Sequence, residues 1–147
     1  MKPILVYVVG AYSGDVKKNI EKAEATSINL IRSGIHVITP HKNTAGYEKY
    51  EDGLITYNTW MEMDFDILQR CDAIYVMDNG ETSNGSKKEI EYAHKLGMPI
   101  IYEKDCPSDD IEFCCVCGFP MMDCSNEVEF IFNCTKCACT KRCEISI

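Results

Sequence analysis

The sequence has few cationic side chains and no long apolar run. Its 147 residues include 15 Lys and Arg against 23 Asp and Glu, which gives a formal net charge of −8. A protein that coats nucleic acid needs clustered Lys and Arg, so we expect no long nucleic acid as a partner.

No apolar run reaches the roughly 18 residues that cross a membrane. Residues 1–10 have one lysine and no small-residue cleavage site, which is typical of a strand and not of a signal peptide. We therefore expect a soluble, cytoplasmic protein.

Cysteine is almost absent from the first two thirds of the chain. Of ten cysteines, only Cys71 precedes residue 106. A disulfide framework would spread its cysteines through the chain, whereas crowding at one end favours a metal site. The composition also becomes polar and rich in turn residues over 103–110. We predict a first domain at 1–105 and a small second domain at 106–147.

Apolar runs and helical patterns alternate along the first domain. The patterns predict strands at 3–9, 35–39, 72–77 and 98–102, helices at 16–33 and 59–70, and a third helix that begins within 83–93 and runs to about residue 96. Residues 42–58 are predicted to be a long loop, which could contain a helical turn. This order predicts a parallel sheet with right-handed crossovers. The expected fold class is α/β, a Rossmann-like or flavodoxin-like three-layer sandwich, followed by a small C-terminal zinc ribbon.

Residues 83–93 form a loop of small residues that leads into a helix. The free N–H groups of such a loop and the positive end of the helix dipole attract an anion. Glu89 falls about one turn into this helix and can point back toward the loop. The loops at 10–15, 40–58 and 78–86 should meet it at the carboxyl edge of the sheet, where ligands bind in such folds. The alternative is an ordinary capped surface helix.

Several motifs in residues 4–102 together resemble the nucleoside 2-deoxyribosyltransferase-like superfamily, including its 2'-deoxynucleoside 5'-phosphate N-hydrolase branch. They are Tyr7-Val8-Val9-Gly10, Pro40-His41, Met63-Asp64 with Cys71-Asp72, and Ser83-x-Gly85-x-x-x-Glu89-x-x-x-Ala93. The resemblance implies that Glu89 is the catalytic nucleophile, Asp64 a second catalytic carboxylate and Tyr7 an active-site tyrosine. The Tyr7 hydroxyl could hold Glu89 in place.

The implied reaction breaks the N-glycosidic bond of a (deoxy)nucleoside 5'-monophosphate through a covalent glutamyl-sugar intermediate. Each assignment has a structural alternative. Tyr7 could be a core tyrosine with a satisfied hydroxyl, and Asp64 could be a solvated acid, as we expect of Glu62 and Asp66. Base exchange by a transferase is a second possible activity. A third possibility is a non-catalytic sensor that binds a nucleotide or a ribosyl signalling nucleotide.

The position six residues before the nucleophile is acidic in the transferases that the chain resembles and serine in the nucleotide hydrolases. Ser83 therefore favours a 5'-phosphate, with help from Lys87 or Lys88. In the first loop, Ala11 and Ser13 depart from the serine and arginine of the hydrolases. The expected substrate-binding residues are Ser83, Gly85, Ser86, Gly10, Ser13, Gly14 and His41.

Two other expectations concern aromatic side chains and assembly. Aromatic residues of the long loop and the following helix could stack on a base or belong to the core: Tyr47, Tyr50, Tyr57 and Trp60. His36 and His94 are expected to be structural or surface residues. The resemblance also implies a homodimer or larger homo-oligomer.

The C-terminal cysteines have the spacing of a zinc ribbon. Cys114-x-x-Cys117 is followed by sixteen residues and then by Cys134-x-x-Cys137. We expect these four thiolates to hold one structural zinc ion, with strands at Phe113 and 128–132, and we expect no organic cofactor. The remaining cysteines of the tail could replace a ligand, hold a second ion in part, or be free thiols: Cys106, Cys115, Cys124, Cys139 and Cys143.

Overall fold

A computed structural model describes residues 3–111, 113, 120–123, 129–134 and 140–144. The first part alternates strands and helices as predicted. Its elements are β1 (Leu5–Val9), α1 (Val16–Arg32), β2 (His36–Ile38), α2 (Pro40–Asn43), a 3-10 turn (Tyr47–Tyr50), α3 (Tyr57–Leu68), β3 (Ala73–Val76), a second 3-10 turn (Asp78–Thr82), α4 (Asn84–Lys95) and β4 (Ile100–Tyr102).

The four strands form one parallel sheet in the order β2-β1-β3-β4. In the register, Tyr7 pairs with Ile38 on one side and with Ile74 on the other. The chain leaves β1 toward one edge of the sheet and leaves β3 toward the other, so a crevice opens beyond the carboxyl ends of these two central strands. The predicted parallel α/β sheet is confirmed, and its order is that of a flavodoxin-like fold.

Two apolar clusters fill the two faces of the sheet, which makes three layers. One cluster combines Val6, Val8 and Tyr75 with Ala23 and Leu30 of α1. The other combines strand residues of the opposite face with helices α3 and α4: Tyr7, Val9, Ile74, Val76, Leu68 and Ala93. Side chains alternate between faces along a strand, so strands covered on both faces are apolar almost throughout.

The structure differs from the sequence prediction in its details. The long loop at 42–58 contains the last residues of α2 and a 3-10 turn, both too short to produce a detectable helical period. Ile31 and Met63 are apolar residues of two predicted helices, and they are 50% and 41% exposed. On α1 the buried stripe is Ala23, Thr26, Ser27 and Leu30, and Ile31 lies one position, about 100°, beyond it.

The described C-terminal residues form an antiparallel sheet of β5 (Met121–Asp123), β6 (Glu129–Cys134) and β7 (Thr140–Glu144). The strand predicted at 128–132 corresponds to β6. Cys114, Cys117 and Cys137 lie outside the described residues, and Cys134 is described by its backbone alone. The zinc site therefore stays a prediction, as do the two domain boundaries. Within the described ranges, no helix has the length and apolar character needed to span a membrane.

Candidate active site

A cavity of about 450 Å³ opens at the carboxyl edge of the sheet. It is lined by the loop after β1, by α2 and the 3-10 turn that follows it, by α3 and by the start of α4. The lining contains eighteen residues: Gly10, Tyr12, Ser13, Gly14, Val16, Pro40, His41, Thr44, Glu48, Glu51, Tyr57, Trp60, Met61, Asp64, Ser83, Gly85, Ser86 and Glu89. This set includes both predicted catalytic carboxyl groups, Glu89 and Asp64, and all seven predicted substrate-binding residues.

Helix α4 places Glu89 in the cavity wall. Ser83 caps the helix, and its hydroxyl accepts a 3.5 Å hydrogen bond from the Ser86 N–H. Glu89 follows about one turn later on the face that meets the sheet, and only 7% of it is exposed. Tyr7, fully buried in β1, lies behind it and donates a 2.6 Å hydrogen bond from its hydroxyl to Glu89 Oε1. The carboxylate is thus held in one orientation.

Asp64 supplies a second carboxyl group from α3. It is half-buried in the cavity wall, whereas its neighbours Glu62 and Asp66 on the same helix are exposed. Burial raises the pKa of Asp64 to about 6, and the nearby Tyr7 hydroxyl opposes this rise.

The pKa of Glu89 is raised further, to about 8, mainly by burial and also by the negative charge of Asp64, while the Tyr7 hydrogen bond lowers it. Burial and the same two carboxylates raise the pKa of Tyr7 far above its usual value, so its hydroxyl stays a donor. Two carboxyl groups with separated pKa values form the usual pair of acid and base groups in catalysis.

Gly10 lets β1 end close to the second 3-10 turn. A Cβ at this position would collide with the Met77 side chain and lie 2.9 Å from Asn79 Oδ1. Asn79 Oδ1 in turn accepts a hydrogen bond from the Ala11 N–H at 3.2 Å. A side chain at position 10 would therefore require the ends of the Met77 and Asn79 side chains to move.

Two buried polar atoms of the lining have no hydrogen-bond partner among the described residues: His41 Nδ1 and Ser86 Oγ. His41 Nε2 lies 3.0 Å from the Ala11 carbonyl oxygen and donates to it, which leaves Nδ1 as an acceptor. Burial lowers the pKa of His41, which favours this neutral form. Buried polar atoms are normally paired with protein, water or a ligand, so both atoms are available for a hydrogen bond to a molecule in the cavity.

The lysines expected near a phosphate do not line the cavity. Lys87 and Lys88 are exposed, and Lys88 Nζ lies 5.1 Å from the centre of the Tyr57 ring. Among the described residues that line the cavity, none is Lys or Arg. The groups available to an anion are Ser13 and Gly14 at the start of α1, and Ser83, Gly85 and Ser86 at the start of α4.

Seven lining residues were not predicted as site residues, and three of them, Tyr12, Glu48 and Glu51, contribute polar groups to the cavity. The Tyr12 hydroxyl lies 3.2 Å from Glu48 Oε1. Glu48 and Glu51 belong to the 42–58 segment, which has no period, so the only available signal was the proximity of acidic and aromatic residues in a long loop. Of the four predicted stacking residues, Tyr57 and Trp60 line the cavity, whereas Tyr47 and Tyr50 are 49% and 61% exposed. His36 and His94 are exposed.

Comparison with known proteins gives one family and a distant structural similarity. Residues 4–102 match a family described as a domain of unknown function, DUF4406. Among curated proteins, none matches the chain. One similar solved structure is a 2-deoxyribosyltransferase from the psychrotolerant bacterium Bacillus psychrosaccharolyticus, at 19% identity over 67% of this chain and 70% of that chain, with a TM-score of 0.47. Because the matched residues contain the whole parallel sheet and the whole cavity lining, the chain belongs to the DUF4406 family.

Proposed function

We propose that the protein breaks the N-glycosidic bond of a (deoxy)nucleoside 5'-monophosphate, with Glu89 as the nucleophile. The observation that carries this proposal is the buried Glu89 carboxyl group, which faces a cavity large enough for a nucleotide and is oriented by Tyr7 at 2.6 Å. A carboxyl group without a cationic partner is costly to bury, and such groups cluster at functional sites.

In the proposed reaction, a Glu89 oxygen forms a bond to C1' of the sugar as the C1'–N bond breaks. The electron pair of that bond stays on the base nitrogen, and Asp64 supplies a proton to the leaving base. A water molecule then attacks C1', gives one proton to Asp64 and releases the Glu89 carboxylate. The products are the free base and the sugar phosphate, and both carboxyl groups return to their initial state.

The proposed division of roles requires one proton shared between the two carboxyl groups. With pKa values of about 6 and about 8, Asp64 and Glu89 together hold one proton near neutral pH, and the higher pKa places it on Glu89 in the empty site. The reaction therefore requires this proton to move to Asp64. The Tyr7 hydrogen bond and the positive charge that develops on the sugar both favour the ionised form of Glu89 that remains.

A 5'-phosphate would be bound by N–H groups and hydroxyls. Ser83, Gly85 and Ser86 lie at the start of α4, and Ser13 and Gly14 lie at the start of α1. Both helix dipoles present their positive ends there. The unpartnered Ser86 hydroxyl adds a donor at the same place.

A second activity, exchange of bases on unphosphorylated nucleosides, is favoured by the charge of the lining. Four carboxyl groups line the cavity, from Glu48, Glu51, Asp64 and Glu89, and none of the described residues in the lining is Lys or Arg. These negative charges repel a phosphate, and the repulsion increases as the distance between the phosphate and the carboxyl groups decreases. Adding a second free base to a nucleoside and looking for the exchanged nucleoside separates transfer from hydrolysis.

The test is a panel of nucleosides and nucleoside 5'-monophosphates, with free base measured by chromatography. We expect release from monophosphates, and a loss of at least about a thousandfold in Glu89→Gln, because an amide cannot form the sugar ester. The matched control is Glu91→Gln on the exposed side of the same helix, which should behave like the wild type. Unchanged release in Glu89→Gln would sink the assignment, and tight binding without turnover would favour a nucleotide sensor.

For the C-terminal segment we propose one structural zinc ion held by Cys114, Cys117, Cys134 and Cys137. The spacing of the two Cys-x-x-Cys pairs supports it, and a site with four thiolates has no open position for catalysis. We expect about one zinc per chain by elemental analysis, and less metal in Cys134→Ser. A metal-free protein with all four thiols reactive would contradict the proposal.

A further inference from the structure

We propose that Glu51 is a specificity residue that accepts a hydrogen bond from an exocyclic amino group of the base. The inference rests on the proposed N-glycosidase activity, because it requires the base to extend from the Glu89 and Asp64 end of the cavity toward its mouth. It selects amino-bearing bases, such as cytosine and adenine, over their oxo counterparts.

Helix α3 sets the distance between the reacting end and Glu51. Tyr57, Trp60 and Asp64 all line the cavity, and their spacing of three and four residues puts them on one face of the helix. Trp60 lies four residues, or about 6 Å, from Asp64 along the helix axis. This is about the length of a nucleobase, so the far edge of a base whose glycosidic nitrogen lies near Asp64 reaches Trp60.

Trp60 holds the Glu51 side chain at that position. Its indole N–H donates a 2.7 Å hydrogen bond to Glu51 Oε1. The backbone of Glu51 is fixed as well, since its N–H donates to the Glu48 carbonyl oxygen at 3.1 Å. The next residue, Asp52, accepts hydrogen bonds from the N–H groups of Leu54 and Ile55, which closes the turn that follows.

This arrangement leaves one oxygen of Glu51 for a ligand. Oε2 receives no hydrogen bond from the described residues, while Oε1 is occupied by Trp60. A carboxylate only accepts, so it attracts an amino group and repels a carbonyl oxygen at the same position of the ring. The indole ring beside it offers a flat surface on which a base can stack.

A separate observation indicates that this cavity binds a polar ligand. Ser86 and His41 are 2% and 5% exposed, and their Oγ and Nδ1 atoms have no partner among the described residues. Both residues line the same cavity as Glu51. A ligand that forms hydrogen bonds with these two atoms occupies the deep part of the cavity. The opposite edge of this ligand then lies at the cavity mouth.

The experiment compares substrates that differ only by an amino or an oxo group. We expect kcat/KM for deoxycytidine 5'-monophosphate to exceed that for deoxyuridine 5'-monophosphate by about tenfold, and the same for deoxyadenosine over deoxyinosine 5'-monophosphate. In Glu51→Gln this ratio should fall toward one, because an amide can also donate to the oxo group. Trp60→Phe keeps an aromatic ring but loses the N–H, so we expect an intermediate ratio.

The matched control variant is Glu48→Gln. It removes one negative charge from the same cavity, but from the carboxylate that lies beside the Tyr12 hydroxyl and not from Glu51. A specific contact at Glu51 predicts that Glu48→Gln keeps the wild-type ratio. A wild-type ratio near one, or equal ratios in Glu51→Gln and the wild type, would overturn the inference. If no base is released from any substrate, the proposed activity is contradicted, but the inference about Glu51 can still be tested. Dissociation constants of the same nucleotide pairs, measured by calorimetry on the wild type and Glu51→Gln, then decide the inference by the same ratios.

Discussion

The two faces of the parallel sheet each bury a tyrosine, and the two tyrosines have different partners. Tyr75 of β3 lies in the cluster that includes α1, and its hydroxyl donates to the backbone oxygen of Cys106 at 2.7 Å. Tyr7 of β1 lies in the cluster of α3 and α4, and its hydroxyl donates to the Glu89 carboxylate at 2.6 Å. Both hydroxyl groups are satisfied, but a backbone carbonyl cannot ionise, whereas a carboxyl group can.

The two faces differ in the group that the buried tyrosine contacts, which is a backbone oxygen on one face and an ionisable side chain on the other. On the α1 face, the buried tyrosine hydrogen bond connects two parts of the backbone. On the α3/α4 face, the equivalent bond leads to the cavity through a group whose pKa is raised by burial. A protein bears the cost of a buried carboxyl group where function requires it. Three predictions test this division, in order of decreasing effect.

Glu89→Gln should make the fold more stable at neutral and alkaline pH. The pKa of Glu89 is about 8 when folded, against 4.5 for an ordinary glutamate, so the folded state binds the proton more tightly. The free energy of unfolding of the wild type therefore falls as the pH rises from 4.5 to 8, by on the order of 1 kcal/mol per pH unit. Glutamine does not ionise and avoids this loss.

The measurement is urea unfolding of both proteins at several pH values between 4 and 9. The stability gain of Glu89→Gln should be near zero at pH 4 and reach a few kcal/mol by pH 8. Glu91→Gln is the control, because Glu91 is exposed beside Lys95 at 2.9 Å. A gain that does not change with pH would show that Glu89 is not a destabilising buried acid.

Tyr7→Phe should clearly reduce kcat/KM and have a smaller effect on the free energy of unfolding. The substitution removes the donor that orients Glu89 and lowers its pKa, so we expect kcat/KM to fall by roughly tenfold to a hundredfold. The upper limb of the pH–rate profile should also move to higher pH. Unchanged kcat/KM and an unchanged profile in Tyr7→Phe would mean that Tyr7 is a core residue like Tyr75.

Tyr75→Phe should reduce the stability of the fold and leave the activity unchanged, and its effect should be smaller than that of Tyr7→Phe. It leaves the Cys106 carbonyl oxygen without its buried partner, so the free energy of unfolding should fall by about 1 kcal/mol. Base release should remain at the wild-type level, because Tyr75 does not line the cavity. Urea unfolding and the nucleotide assay on the same preparation check both expectations, and a loss of activity without a loss of stability would reverse the comparison.

Much of the fold followed from local patterns. The apolar runs of β1 and β3 predicted buried parallel strands, and the loop before Glu89 predicted the helix that carries it. The 42–58 segment was predicted as a loop that could contain a helical turn, because a helix of four residues is shorter than two turns and shows no period. Glu48 and Glu51 were missed for that reason. The exposure of Ile31 could not be predicted, because a single apolar residue at the border of a helical stripe does not indicate which side meets the sheet.

The sequence by itself determined which residues form strands and helices, since burial on both faces requires apolar runs and a serine-capped helix places Glu89 one turn from its start. It also determined that Tyr7 and Tyr75 would both be buried. The contact between Tyr7 and Glu89, 82 residues apart, was expected from the resemblance, and the tertiary structure gives its length of 2.6 Å. Only the tertiary structure decided that Tyr75 meets a backbone oxygen. Strand order and helix placement bring such distant groups together, and the pKa values of Glu89 and Asp64 depend on that packing and on no local pattern.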